Sequence, residues 1–184
     1  AAGPWSGAFN ALAGVGEELT IGLRALKQEV ERLRSQARSE AGRLLLTGDN
    51  QKMRDVNEII EQVSDTDITV LVRGESGTGK ELVARTLFQL SSRRDQAFVK
   101  VNCAALPSEL LESELFGFEK GAFTGAQKRK LGKFEFANNG TIFLDEISEM
   151  HPSLQAKLLQ VLQDGEFSRL GGEADVHVDT RIIA

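Results

Sequence analysis

Apolar positions along this chain fall into two rhythms, and the changes between them outline a fold. Leu19, Leu23, Leu26, Val30, Leu33 and Ala37 recur at steps of four and three, a short heptad seam with charges around it. After a turn at Gly48-Asp49-Asn50, the spacing of Met53, Val56, Ile59, Ile60 and Val63 predicts an amphipathic helix over 50–63. Ser64-Asp65-Thr66-Asp67 breaks it, and the β-branched run Ile68-Thr69-Val70-Leu71-Val72 predicts a buried strand. Leu82, Val83, Thr86, Leu87 and Leu90 restore the helical period over 80–90. A second strand is predicted at 98–102, a helix at 106–116, a glycine-rich interval at 117–126, and a third strand at 141–144 ending on Asp145-Glu146. Leu154, Leu158, Val161 and Leu162 turn one face of a helix over 152–163 inward. A polar, Gly-containing connection follows, and 180–184 reads as a fourth strand.

Strands that alternate with helices imply an α/β fold, a parallel sheet flanked by helices on both faces. That domain is expected over 44–184. Residues 1–16 are rich in Gly and Ala, with Pro4 and Trp5 as isolated features, and read as an upstream tail or poorly ordered chain. Residues 17–43 read as a helical linker. The seam from Leu19 to Ala37 admits two readings: a solvated helix with one apolar stripe, or a short dimerising coiled coil that relays a signal. There is no internal repeat and no low-complexity tract.

Composition narrows the class. The 184 residues are 41% hydrophobic and 27% charged, as in an ordinary soluble globular protein. A net charge of −5 supplies no global basic field, so any DNA contact of the intact protein is expected outside this chain. The single cysteine, Cys103, excludes an internal disulfide and a cysteine-based zinc site, and suits a reducing compartment. No apolar run is long enough to span a bilayer and the N-terminus lacks the pattern of a secretion signal, so the expected location is cytoplasmic, with no membrane partner.

The candidate chemistry sits at strand ends. Gly74-Glu75-Ser76-Gly77-Thr78-Gly79-Lys80 lies between a strand and a helix. Glycines there let several backbone N–H groups point into one concavity, the helix adds its positive end, and Lys80 adds a full charge for the β- and γ-phosphates of a nucleoside triphosphate. The bland alternative is a glycine-rich turn with a surface lysine. Glu81 stands where Ser or Thr normally holds Mg²⁺, and Thr78 is a hydroxyl nearby. Asp145 at a strand end is the candidate Mg²⁺ ligand, direct or through water, and Glu146 beside it can polarise an attacking water. Alone the pair would read as two solvated acids. Asn102, at the end of the neighbouring strand, is a candidate partner for Glu146, although Asn at a strand end is more often a turn former.

The run from Glu112 through Lys120 into Gly121-Ala122-Phe123-Thr124-Gly125-Ala126 holds no nucleophile–base pair and no metal-ligand cluster. Its glycines flank Phe123 and Thr124. Either Phe123 is presented to a partner, or it folds back into the core and the glycines only make turns. Lys128-Arg129-Lys130 reads as a solvated basic run.

These motifs together resemble the central AAA+ domain of bacterial enhancer-binding proteins, the sigma-54-dependent activators related to nitrogen regulatory protein C. GESGTGKE (74–81) is similar to that family's phosphate loop, including the unusual Glu81. GAFTGA (121–126) is similar to its sigma-54-contacting loop, and Ala137-Asn138-Asn139-Gly140-Thr141-Ile142-Phe143-Leu144-Asp145-Glu146 to its second nucleotide-site block. Val101-Asn102-Cys103-Ala104-Ala105-Leu106 is similar to the strand carrying its switch asparagine, while Phe118 stands where the family has His or Tyr. The resemblance covers 44–184. It implies a P-loop NTPase of AAA+ type that binds ATP and Mg²⁺ between subunits of a homo-oligomer, from a dimer to a hexameric ring. Glu146 and Asn102 would sense the γ-phosphate, the 121–126 loop would contact the sigma-54 RNA polymerase holoenzyme, and the closed promoter complex would be remodelled to the open one. The family's first sensor, arginine fingers, lid and C-terminal DNA-binding domain follow further downstream, so the chain by itself is expected to hydrolyse ATP weakly or not at all. Two rival classes are a P-loop enzyme of another kind, such as a kinase or nucleotide-gated switch, and a non-hydrolysing module that dimerises through 19–37. The Asp145-Glu146 pair speaks against the first, and comparing the association state with and without 1–43 discriminates the second.

Overall fold

Four apolar stretches lie side by side in the structure, a computed structural model that describes Glu29 and residues 50–184. The expected tail (1–16) and linker helix (17–43) lie outside the described residues, except for Glu29, which is helical. Helix α1 is Gln51–Ser64, started by Asn50, whose side chain accepts from the Lys52 N–H at 3.1 Å. Its predicted face is correct except at Ile59. Ile60 is buried, but Ile59 is 58% exposed. Consecutive helical residues point about 100° apart, so the two cannot both face one sheet.

The stretch 68–72 was expected to be a buried strand and is instead a hydrogen-bonded edge. Val70 N–H donates to Ile182 O at 3.1 Å, Ala184 N–H to Val70 O at 2.9 Å, and Val72 N–H to Ala184 O at 2.6 Å. Val70 and Val72 pack toward the helices, whereas Leu71, pointing the other way, is exposed. Helix α2 is Lys80–Gln89; Ala84, Thr86 and Leu87 are its buried face, and Leu82 and Leu90, expected inward, are exposed at its margin.

Strand β1 is Phe98–Asn102, followed by helix α3, Ser108–Phe116. An antiparallel pair, β2 (Gly117–Phe118) and β3 (Lys130–Leu131), then encloses the glycine-rich loop, and the short helix α4 (Lys133–Phe136) leads to strand β4, Thr141–Asp145. A single 3₁₀ turn, Ile147–Glu149, precedes helix α5, Pro152–Asp164. Leu154, Leu158 and Val161 are buried on α5; Leu162, expected with them, is exposed. The polar, Gly-containing connection holds a hairpin of β5 (Glu166–Ser168) and β6 (Asp175–His177), and β7 is Arg181–Ile183.

The sheet runs β1–β4–β7, all parallel, with Val70 bridged to the outer side of β7. Central strand β4 shows why the sheet needs two covers. Phe143 faces Ile60, Ala84 and Leu87 of α1 and α2. Ile142 and Leu144 face the opposite layer, with Leu111, Leu115, Phe116, Leu154 and Leu158 of α3 and α5. Two arginines tie the strand-entry end together. Arg93 binds Asp67 at 2.9 Å and Asp179 at 2.7 Å, and buried Arg181 donates to the α1 carbonyls of Val63 (2.7 Å) and Ser64. A guanidinium is well placed there, because the last carbonyls of a helix have no partner within it. Burial pushes the Arg181 pKa down. Among the described residues no helix is long and apolar enough to cross a membrane.

Candidate functional site

The 74–80 turn joins the Val70 edge to α2. Gly77 (φ +82°) and Gly79 (φ +89°) hold left-handed conformations that a side chain would strain, and nothing lies within 4 Å of where either Cβ would stand. The turn is therefore an open cradle. No side chain caps α2, so its first N–H groups face that opening. Lys80 Nζ donates to its own loop carbonyls, Gly74 O and Glu75 O, each at 3.0 Å. Among the described residues no carboxylate neutralises it. Thr78 Oγ1 donates to Glu75 O at 2.8 Å, which turns this hydroxyl into the loop.

Parallel pairing carries the second half of the site to the first. Asn102 and Asp145 are register partners at the same ends of β1 and β4. Asp145 O accepts from Cys103 N–H at 2.9 Å. Glu146 follows in a left-handed conformation (φ 55°, ψ 44°), uncommon for a residue with a Cβ, and its carboxylate makes no hydrogen bond among the described residues. Asp145, Glu146, Gly74, Ser76 and Lys80 line one cleft of about 970 Å³, whose other wall is apolar: Leu71, Leu158, Leu159 and Leu162. Asn102 lies beside the acids, but its side-chain oxygen accepts from Ala104 N–H at 2.8 Å, the turn-forming role, and no hydrogen bond joins it to Glu146.

Glu81 is engaged on both oxygens. Arg85 donates to Oε1 from Nε (3.0 Å) and Nη2 (2.9 Å), and Lys100 Nζ reaches Oε2 at 2.7 Å. The same ammonium stands 3.6 Å from Asp145 Oδ2. Hydrogen bonds from Lys100 and then Arg85 hold the Glu81 carboxyl below its usual range, and Glu81 in turn raises Lys100. Burial, and secondarily Asp145, pushes the Cys103 thiol up to about 11, so it stays protonated and inert. The carboxylate at Asp145 is a hard oxygen donor of the kind that suits Mg²⁺, with an ammonium already standing in as a cation beside it. Among the described residues no group of three or more His, Cys, Asp or Glu could hold a metal without further ligands.

The block 137–144 has another place. Ala137, Asn138, Asn139 and Gly140 sit at the entry to β4: Asn139 N–H donates to Asp179 O, and Asn138 Oδ1 accepts from Asp179 N–H. That is the opposite end of β4 from Asp145, about 16 Å away at 3.3 Å per residue. Thr141, Ile142, Phe143 and Leu144 are buried in the sheet, and only Phe143 reaches the cleft. These residues lead the chain into Asp145, which lies beside the phosphate loop.

The 121–126 loop is folded on itself at the tip of the β2–β3 hairpin. Gly121 N–H donates to Ala126 O at 2.8 Å and Ala126 N–H to Phe123 O at 3.0 Å. Phe123 is 46% exposed and not in the core, and its ring meets the half-buried Phe118 edge-on at 4.9 Å. The base of the loop is clamped from the β5–β6 connection. Glu119 N–H donates to Leu170 O and Leu170 N–H to Gly117 O. Arg169 joins Glu119 (2.9 Å) to Glu135 (2.5 and 2.9 Å). Burial works against the Glu135 charge, but Arg169 and the Gly132 N–H hold its pKa below the usual value. Lys130 pairs with Glu114, leaving Lys128 and Arg129 exposed.

The comparisons with known proteins follow the same outline. The model of the sigma-54 interaction domain matches residues 46–184. The chain belongs to the sigma-54 interaction domain family. It is 59% identical over 139 residues to the Nif-specific regulatory protein of Klebsiella pneumoniae, covering 76% of this chain and 26% of that one. The counterpart in Azotobacter vinelandii is 52% identical over 162 residues, 88% of this chain and 31% of that one. The chain thus spans between a quarter and a third of these curated relatives. Among solved structures, NtrX of Brucella abortus in complex with ADP superposes with a TM-score of 0.73 at 38% identity, covering 95% of this chain and 35% of that one. NtrX in complex with ATP gives 0.72 at 37%, covering 90% and 34%.

Within the sigma-54 interaction domain, the phosphate loop, Asp145 and Glu146 line one cleft, and Asn102 is the register partner of Asp145 at its edge. The structure adds Lys100 and Arg85 at the acids, and Arg169, Glu119 and Glu135 under the loop. Lys100 had a signal: it is the one charge inside an apolar strand, Phe98-Val99-Lys100-Val101-Asn102. The Arg169 clamp had none, since its partners lie 34 and 50 positions away.

Proposed function

We propose that this chain is the ATP-binding and hydrolysing core of a cytoplasmic sigma-54-dependent transcription activator, which spends ATP to remodel the closed RNA polymerase–promoter complex into the open one. One observation carries the reading: an open phosphate cradle, with a lysine that no carboxylate among the described residues neutralises, shares a cleft with two adjacent carboxylates at a parallel strand end. The cradle N–H groups and Lys80 would hold the phosphates, and Asp145 would hold Mg²⁺, which supplies charge neutralisation when bound. Glu146, without a hydrogen bond among the described residues and set in a left-handed backbone, would take the proton of the attacking water. The relatives' length and the open apolar wall favour completion of the site by further chain and by a neighbouring subunit of a ring.

Two short paths join this cleft to the loop. From Asn102 the chain reaches β2 through one helix, α3, of nine residues, about 13 Å long. From Glu146 it passes through α5 to the Arg169 clamp, and α5 touches α3 directly, with Lys157 on Glu112 at 3.0 Å. A rearrangement at the acids on hydrolysis would therefore move both supports of the 121–126 loop, which would contact sigma-54. The test is Glu146→Gln in the intact protein. ATP affinity should survive and turnover should be lost; undiminished turnover would remove Glu146 from the chemistry.

A further inference from the structure

The geometry points to Lys100 as a cation placeholder: its ammonium fills the gap between Glu81 and Asp145 so that the nucleotide-free site does not take a divalent metal. The inference rests on the nucleotide-site reading above and extends it to the order in which ligands enter. Glu81 occupies the position where a phosphate loop normally offers a hydroxyl to the metal. A carboxylate there, facing a second carboxylate at Asp145, makes a pair of hard anionic donors that would attract a divalent cation without any nucleotide. The structure shows how that is avoided. Arg85, stacked 5.3 Å over the Phe98 ring, fixes Glu81 through Oε1 and leaves Oε2 free. Lys100 Nζ takes Oε2 at 2.7 Å and stands 3.6 Å from Asp145 Oδ2.

The two distances are unequal in a useful way. Lys100 is anchored on Glu81 and only leans on Asp145, so Asp145 can be released to a metal that arrives with the phosphates, while Glu81 stays neutralised. Glu81 is then an anchor for Lys100 and not a metal ligand. Lys100 is a positioning residue, one-third exposed, whose removal creates no core cavity.

The experiment is Mn²⁺ binding to the intact, nucleotide-free protein, read by electron paramagnetic resonance, with binding of a fluorescent ATP analogue as a parallel measurement. Wild type should bind Mn²⁺ weakly. Lys100→Met, which keeps the stem and removes the charge, should bind at least about tenfold tighter, because a unit charge 2.7 and 3.6 Å from the two donor oxygens is gone. Lys100→Arg should behave as wild type, and Lys100→Met with Glu81→Gln should lose the gain, because only one carboxylate remains. Lys100→Gln repeats the test should the methionine variant fail to fold. Mn²⁺ affinity unchanged in Lys100→Met and Lys100→Gln, or raised equally in Lys100→Arg, overturns the placeholder while leaving the nucleotide site standing. Failure of wild type to bind the ATP analogue would instead overturn the function on which it rests.

Discussion

The two glycine-rich loops of this domain are built on opposite plans. The 74–80 loop is held by its own backbone: Lys80 and Thr78 bond to carbonyls within the loop, and its open side faces the cleft. The 121–126 loop also bonds to itself, but its base at Gly117–Glu119 is held from outside, by the Leu170 backbone and the Arg169 clamp, and Phe123 leans on the Phe118 ring. A site that must grip a small polyanion needs a rigid, pre-formed concavity. On the function proposed above, the second loop would be moved by supports that lie elsewhere. The first can be altered without disturbing the second, whereas the second answers to several distant residues.

Breaking the outside support should have the largest effect. Arg169→Ala leaves Glu135 nearly buried without its counter-charge, which should cost about 3 kcal/mol and lower the melting midpoint by roughly 10 °C. ATP affinity of the folded variant, measured below its transition, should be unchanged. The same pair sets an acid limit. Because the folded Glu135 pKa lies below its reference of 4.5, its contribution is present above that pH and lost as pH falls through the lowered value. Denaturant titrations at stepped pH should therefore show a shallower acid slope in Arg169→Ala.

Lys80→Ala should do the reverse, lowering ATP affinity by about a hundredfold or more while leaving the melting midpoint of the nucleotide-free protein in place. Calorimetry on one sample reads both. The smallest change sharpens the comparison most. Gly171 has φ +67°, and a Cβ there would stand 2.8 Å from Ala122. Gly171→Ala should cost about 1–2 kcal/mol and displace the 121–126 loop. Protease susceptibility within that loop should rise while ATP binding is untouched.

These regions also differ in how far the sequence discloses them. The phosphate loop, the parallel sheet and the Asp145-Glu146 strand end follow from local pattern, because strand, glycine turn and helix are contiguous there. Ile59 and Leu162 were misplaced because each neighbours a residue of the true face on a helix, where adjacent positions diverge. The 68–72 run looked fully buried because β-branched composition cannot tell an edge from a centre. The β5–β6 hairpin escaped notice because three-residue strands carry too short an alternation, and with it went the clamp under the 121–126 loop. Lys100 could have been singled out as a charge within an apolar strand; its role depends on Glu81 and Asp145, which only the fold brings to it.

The most direct test of a division between gripping and working loops is Thr124→Ala in the intact protein, with ATP turnover and sigma-54-dependent open-complex formation measured side by side. Turnover should persist while open-complex formation is lost. Loss of turnover, or full open-complex formation, would contradict the separation of the two loops.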